Sequence, residues 1–185
     1  TTVTIPSGVT VTFQPNSANT PVTLLAQGNI TIGGQLYVNG ANGLAATPAG
    51  SAVQLGGLGG PGGYRGGQGG QKGLANTNGA PGQGPNAGSS GRFDAVVTAN
   101  GTYGADASFV SLIPLFGGSG GGGGTGDASL WGTSGGGGGG ALVLASSTQI
   151  TVQTTGTVAA NGGNGPIYTT VCSTYSGGTG SGGDR

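Results

Sequence analysis

Residues 56–73 read GGLGGPGGYRGGQGGQKG, with two glycines before almost every other residue. GGSGGGGGTG follows at 117–126 and GGGGGG at 135–140, and glycine supplies 49 of the 185 residues. A typical chain has roughly 7%. Glycine loses more backbone freedom on ordering than any other residue and brings no side chain to bury. Tracts of this kind are therefore poor α-helices and poor ordinary strands. Their period of three matches an extended helix with three residues per turn. Collagen needs glycine at every third position and abundant proline. Here there are nine prolines, and the triplet register slips at Tyr64-Arg65. The remaining solution is polyglycine II, in which extended segments share backbone amides with several neighbours. Ordering a residue costs about 1–2 kcal/mol, against about 0.5–1.5 kcal/mol for each amide bond. A single copy should be marginal, so association with further copies is expected.

The rest of the chain alternates with period two, the signature of strands with one face inward. In TTVTIPSGVTVTF (1–13), Val3, Ile5, Val9, Val11 and Phe13 alternate with threonines around a Pro-Ser-Gly turn. The block TPVTLLAQGNITIGGQLYVNGANG (20–43) predicts strands over Val22–Ala26, Asn29–Ile32 and Gln35–Asn39. Its Gln27-Gly28 and Gly33-Gly34 spacers suit either hairpins or corners between successive sides of a coil. The block GGALVLASSTQITVQTTGTVAANGGNG (139–165) repeats it. Leu142 to Ala145 aligns with Thr23 to Ala26, Ile150 to Val152 with Ile30 to Ile32, and Val158 with Val38. Asn161 and Asn164 align with Asn39 and Asn42. Repeated strand units that cannot bury a face alone stack on their copies. The expected fold is all-β: short parallel β-helix or β-solenoid coils with glycine-rich insertions and little or no α-helix. Residues 1–43 form the N-terminal coils and 44–140 the insertion, which includes a small apolar cluster at 91–118. Residues 141–185 hold the repeated coil and a glycine-rich tail. The inward residues Val3, Ile5, Val9, Val11, Phe13, Leu24, Ile30, Ile32, Val38, Leu142, Leu144, Ile150, Val152 and Val158 are the candidates for strand stacking between copies. Asn39, Asn42, Asn161 and Asn164 are the corner residues, with Asn39 over Asn161 expected to form an amide ladder.

Composition removes most chemistry. There are four acidic and four basic residues, no His, and zero net charge. No basic stripe exists for nucleic acid, and no polybasic segment for an anionic membrane. The longest apolar run, SFVSLIPLF (108–116), is shorter than the roughly 20 residues of a membrane span. Imidazole bases and histidine ligands are excluded. The carboxylates are Asp94, Asp106, Asp127 and Asp184, better assigned to turns or to a partner such as Arg92 than to catalysis. Gly-x-Gly-x-x-Gly matches carry no information in such a sequence, and the calcium-binding nonapeptide series is absent. No cofactor, metal or enzymatic activity is expected. Cys172 is the only cysteine. It reads either as a small buried apolar residue or as an intersubunit disulfide. The pairs Thr2/Thr4 and Thr10/Thr12 read as solvent-facing strand threonines rather than as an ice-binding array.

The blocks VTIPSGVTVTF, LLAQGNITIGGQLYVNGANG, the Gly-Gly-x tract and the repeat at 139–165 together resemble secreted glycine-rich β-solenoid surface proteins of bacteria. That resemblance implies a right-handed parallel β-helix at the cell surface and no activity. The Gly-Gly-x tracts are also similar in composition to those of phage tail-fibre adhesins. The chain begins at Thr1 and has no Met, which agrees with an extracellular protein whose secretion signal has been removed. The expected function is a self-assembling structural subunit of an extracellular filament. The alternative is an adhesin whose loops carry Tyr64, Arg65, Tyr103, Trp131 and Tyr168 toward a glycan or cell surface.

Overall fold

The computed structural model describes residues 1–45, 53–72, 77–91, 114–126 and 131–166. These residues are all-β and contain no helix. The strands are β1 (Val3–Ile5), β2 (Thr10–Thr12), β3 (Val22–Ala26), β4 (Ile30–Ile32), β5 (Gln35–Tyr37), β6 (Leu142–Ser146), β7 (Ile150–Val152) and β8 (Thr157–Ala159). They form three sheets of parallel strands, in the orders β1-β4-β7, β2-β5-β8 and β3-β6. The chain visits the sheets in rotation. Coil 1 is β1-β2-β3, coil 2 is β4-β5-β6, and coil 3 continues through β7 and β8. The glycine-rich insertion lies within coil 2, between β5 and β6.

Strands follow one another around corners, not hairpins. Gly33 and Gly34 turn the chain from β4 to β5, and both N–H groups donate to the Ile5 carbonyl of the coil above, at 2.8 and 3.1 Å. A Cβ on Gly34 would strike the carbonyls of Val9 and Pro6, so only glycine fits this corner. Gly8 makes the β1–β2 corner with φ +81°, a left-handed conformation open to glycine.

Two registers differ from the sequence alignment. Val158 lies beside Leu36, not Val38. The β4–β5 corner holds Gly33 and Gly34, whereas the β7–β8 corner holds Gln153 to Gly156. The two extra residues are absorbed by a turn in which the Gly156 N–H donates to the Gln153 carbonyl, at 2.8 Å. Leu142 pairs with Val22, not Thr23. This register sets Leu24 beside Leu144 with both turned inward, and leaves Leu25 69% exposed. A slip of one residue would exchange the two faces. The core is Ile5, Ala26, Ile30, Ile32 and Leu36, flanked by half-buried Val3, Val11, Phe13, Leu24, Leu142 and Leu144.

The glycine segments form a second body of order. Segment 131–141 is buried throughout. Its N–H groups at 132, 135 and 138 donate to the carbonyls of Gly70, Gly67 and Tyr64. Those at 134, 137 and 140 donate to Leu44, Ala41 and Val38. Its carbonyls at 133, 136 and 139 accept from Gly124, Gly121 and Gly118, those at 135 and 138 from Gly57 and Gly60, and that at 137 from Gly163. Four of these neighbours are met at every third residue and the fifth, at Gly163, by one bond, so residues 132–140 share backbone bonds with five other described segments. A β-strand reaches only two. A Cβ on Gly138 would enter the Gly118 carbonyl, and one on Gly136 the Gly163 carbonyl. The absence of side chains is what permits so many close neighbours.

Candidate assembly surface

Equivalent residues of coils 2 and 3 have opposite environments. Ile30, Ile32 and Leu36 are each 0% exposed, whereas their register partners Ile150, Val152 and Val158 are 43%, 50% and 39% exposed. The residue types are alike; the difference is that β4 and β5 are covered by a strand on each side. β7 and β8 are the last strands of their sheets among the described residues.

The backbone tells the same story. The Gln149 carbonyl accepts from the Ile30 N–H at 2.9 Å, and the Gln153 N–H donates to the Ile32 carbonyl at 2.8 Å. In a parallel ladder the residues that bond to one neighbour alternate with those that bond to the other. The amides of Ile150 and Val152 therefore point away from coil 2. At the opposite end, the Val3 N–H donates to the Asn29 carbonyl at 3.0 Å, and the Ile5 carbonyl accepts from Gly33. The amides of Thr2 and Thr4 therefore point outward there. Among the described residues each end presents open strand edges, which are templates for pairing.

The asparagine corners link the coils. Asn39 Oδ1 accepts from the Asn161 N–H at 2.8 Å, and Asn42 Oδ1 from the Asn164 N–H at 2.9 Å. The Asn161 and Asn164 carbonyls accept from the Gly40 and Gly43 N–H groups, each at 2.9 Å. The stacking of Asn161 on Asn39 is present, but the bonds run from backbone to side chain and not from amide to amide as expected. Asn161 and Asn164 themselves are exposed. No donor among the described residues reaches either Oδ1.

The expected stacking residues fall into three groups. Ile5, Ile30, Ile32 and Val38 are buried, so their stacking is within the chain. Val3, Val11, Phe13, Leu24, Leu142 and Leu144 are half-buried around the core. Val9, Ile150, Val152 and Val158 are exposed. Leu36, fully buried, was not among the residues picked from the sequence, although its alternation with Gln35 and Tyr37 marks it as inward. Exposed Leu44, Leu55 and Leu58 on the glycine body were also missed, because a three-residue period does not say which side of the segment faces its neighbours. Thr4, Thr31 and Thr151 line up across three coils, but Thr10 and Thr12 are followed by Gln35 and Tyr37, so no threonine array forms. Trp131 is buried and Tyr64 and Arg65 are half-buried. Cys172, Tyr103, Tyr168, the four aspartates and the apolar cluster up to Ile113 lie outside the described residues. Among the described residues no group of three His, Cys, Asp or Glu side chains converges, and no helix is long and apolar enough to cross a membrane.

No protein-family model matches the chain, and no curated protein or solved structure is significantly similar to it.

Proposed function

We propose that this chain is a structural subunit of an extracellular filament or surface assembly. In this reading the three sheets are the sides of a short parallel β-helix. The glycine segments are polyglycine II helices packed as a lattice against it, and growth proceeds by stacking strands end to end. The supporting observation is the pair of open strand edges, one of them carrying Ile150, Val152 and Val158 in positions that are fully buried one coil earlier. Burying three such side chains contributes about 1.5–3 kcal/mol each when complete, and the strand edge gains its amide partners in the same step. The three-residue bonding period supports the polyglycine II reading of the insertion. The role is non-enzymatic, and the partner is the protein itself.

The adhesin reading gains nothing from the geometry, since Trp131 is buried and Tyr64 and Arg65 are half-buried. Negative-stain electron microscopy of the purified protein tests the proposal. Filaments are expected; a uniform field of single particles at high protein concentration would reject it.

A further inference from the structure

We propose that copies of this chain join head to tail, coil 1 of one copy seating on coil 3 of the next, with strands parallel and in register. Asn161 then sets that register. This rests on the self-assembly reading above and adds to it which faces meet and how they align.

The two ends are complementary because they belong to the same sheets. Inside the chain the first sheet stacks Val3, Ile30 and Ile150 in one inward rank, and Ile5, Ile32 and Val152 in another. The second sheet stacks Val11, Leu36 and Val158. A coil 1 placed on β7 and β8 continues all three ranks with Val3, Ile5 and Val11. The outward amides of Thr2 and Thr4 then meet those of Ile150 and Val152, repeating the pattern by which β4 meets β7. Two coil-3 ends brought face to face would run antiparallel and break the ranks. Among the described residues the third sheet has only β3 and β6, so the join is built on the first two sheets.

The corner supplies a positional check. Asn39 Oδ1 holds the N–H of the residue stacked on it, Asn161. The register β2–β5–β8 aligns Thr12 with Tyr37 and Ala159. Two residues further on, Gln14, Asn39 and Asn161 occupy equivalent places. In the join the Asn161 Oδ1 therefore faces the Gln14 N–H of the second copy. The next residue, Pro15, has no N–H, so a slip of one residue leaves Asn161 without a donor. Opposing charge is no obstacle, since Lys and Arg balance Asp and the net charge is zero.

Thr4 and Thr151 point outward and would be adjacent across the join, at the strand spacing of about 4.8 Å. Two proteins are made, Thr4→Cys and Thr151→Cys, each also carrying Cys172→Ser, and treated with a short bismaleimide alone and mixed. Crosslinked dimers only in the mixture are the expected result. Dimers from Thr151→Cys alone would show end-to-end symmetry and overturn the proposal. Filaments without any crosslink would overturn the head-to-tail join while leaving self-assembly standing, and absence of filaments in the unsubstituted protein would remove both. Asn161→Leu should raise the concentration needed for assembly by about two- to tenfold without changing the hydrogen exchange of the dispersed chain. An unchanged threshold would remove Asn161 from its assigned role.

Discussion

The strand coils and the glycine body solve one problem in two ways. Both order extended backbone through amides shared with neighbouring segments. The coils do so with at most two neighbours per strand, as at β4 and β5, which hold Ile30, Ile32 and Leu36. The glycine body does so with five described neighbours around residues 132–140 and almost no side chains. Side-chain size sets the number of neighbours a backbone can hold, and the number of neighbours decides whether amide bonds alone offset the cost of order. Threonine, valine and isoleucine favour the first arrangement; only glycine permits the second.

The largest way to break the comparison is a single methyl in the glycine body. Gly138→Ala places a Cβ in the Gly118 carbonyl, and backbone on every side prevents relief. A loss of about 3 kcal/mol or more is expected, read by chemical denaturation followed through Trp131, the only tryptophan. A stability change within about 0.5 kcal/mol, as at an ordinary surface site, would mean that the segments are not closely packed.

The second test compares coils. Ile32→Ala should cost about 2–5 kcal/mol because it empties a fully buried site. Val152→Ala, its register partner on the open edge, should cost less than about 1 kcal/mol in the dispersed chain yet weaken assembly. Equal costs in urea titrations would show that the third coil is covered.

A finer test uses hydroxyl and amide chemistry. Thr133 is fully buried in the glycine body, and its Oγ1 has no hydrogen-bond partner. Thr133→Val keeps the shape and removes the unpaired group, so a gain of about 1 kcal/mol is expected. Asn39→Leu removes the acceptor for the Asn161 N–H, with a loss of about 0.5–1.5 kcal/mol. Hydrogen exchange at Asn161 should accelerate, and unchanged exchange would show that this bond contributes nothing.

Much of the strand architecture was legible because alternation is a local property. Val3 and Ile5, or Ile30 and Ile32, declare their inward face within three residues. The likeness of ITI to ITV and of the Asn-Gly corners linked strands about 120 positions apart. Leu142 and Val158 were misaligned because corner length and inward choice are decided by packing. A four-residue corner and a two-residue corner look equally acceptable until they must close on the same core. The candidate surface was legible in residue type but not in availability. Ile30 and Ile150 are the same residue in the same motif, and only their positions in the stack make one buried and the other exposed.

By itself, then, the amino-acid sequence determined that the backbone would be extended, that alternate strand residues would share a face, and that long tracts could approach their neighbours without obstruction. These follow from period, β-branching and the missing Cβ, all of which act within a few residues. The tertiary structure decided which segments are neighbours: residues 132–140 at the centre of five described segments, β7 and β8 at the edge of their sheets. Neighbourhood depends on contacts between residues far apart in the chain, and a glycine carries no side chain to announce which of them it will meet.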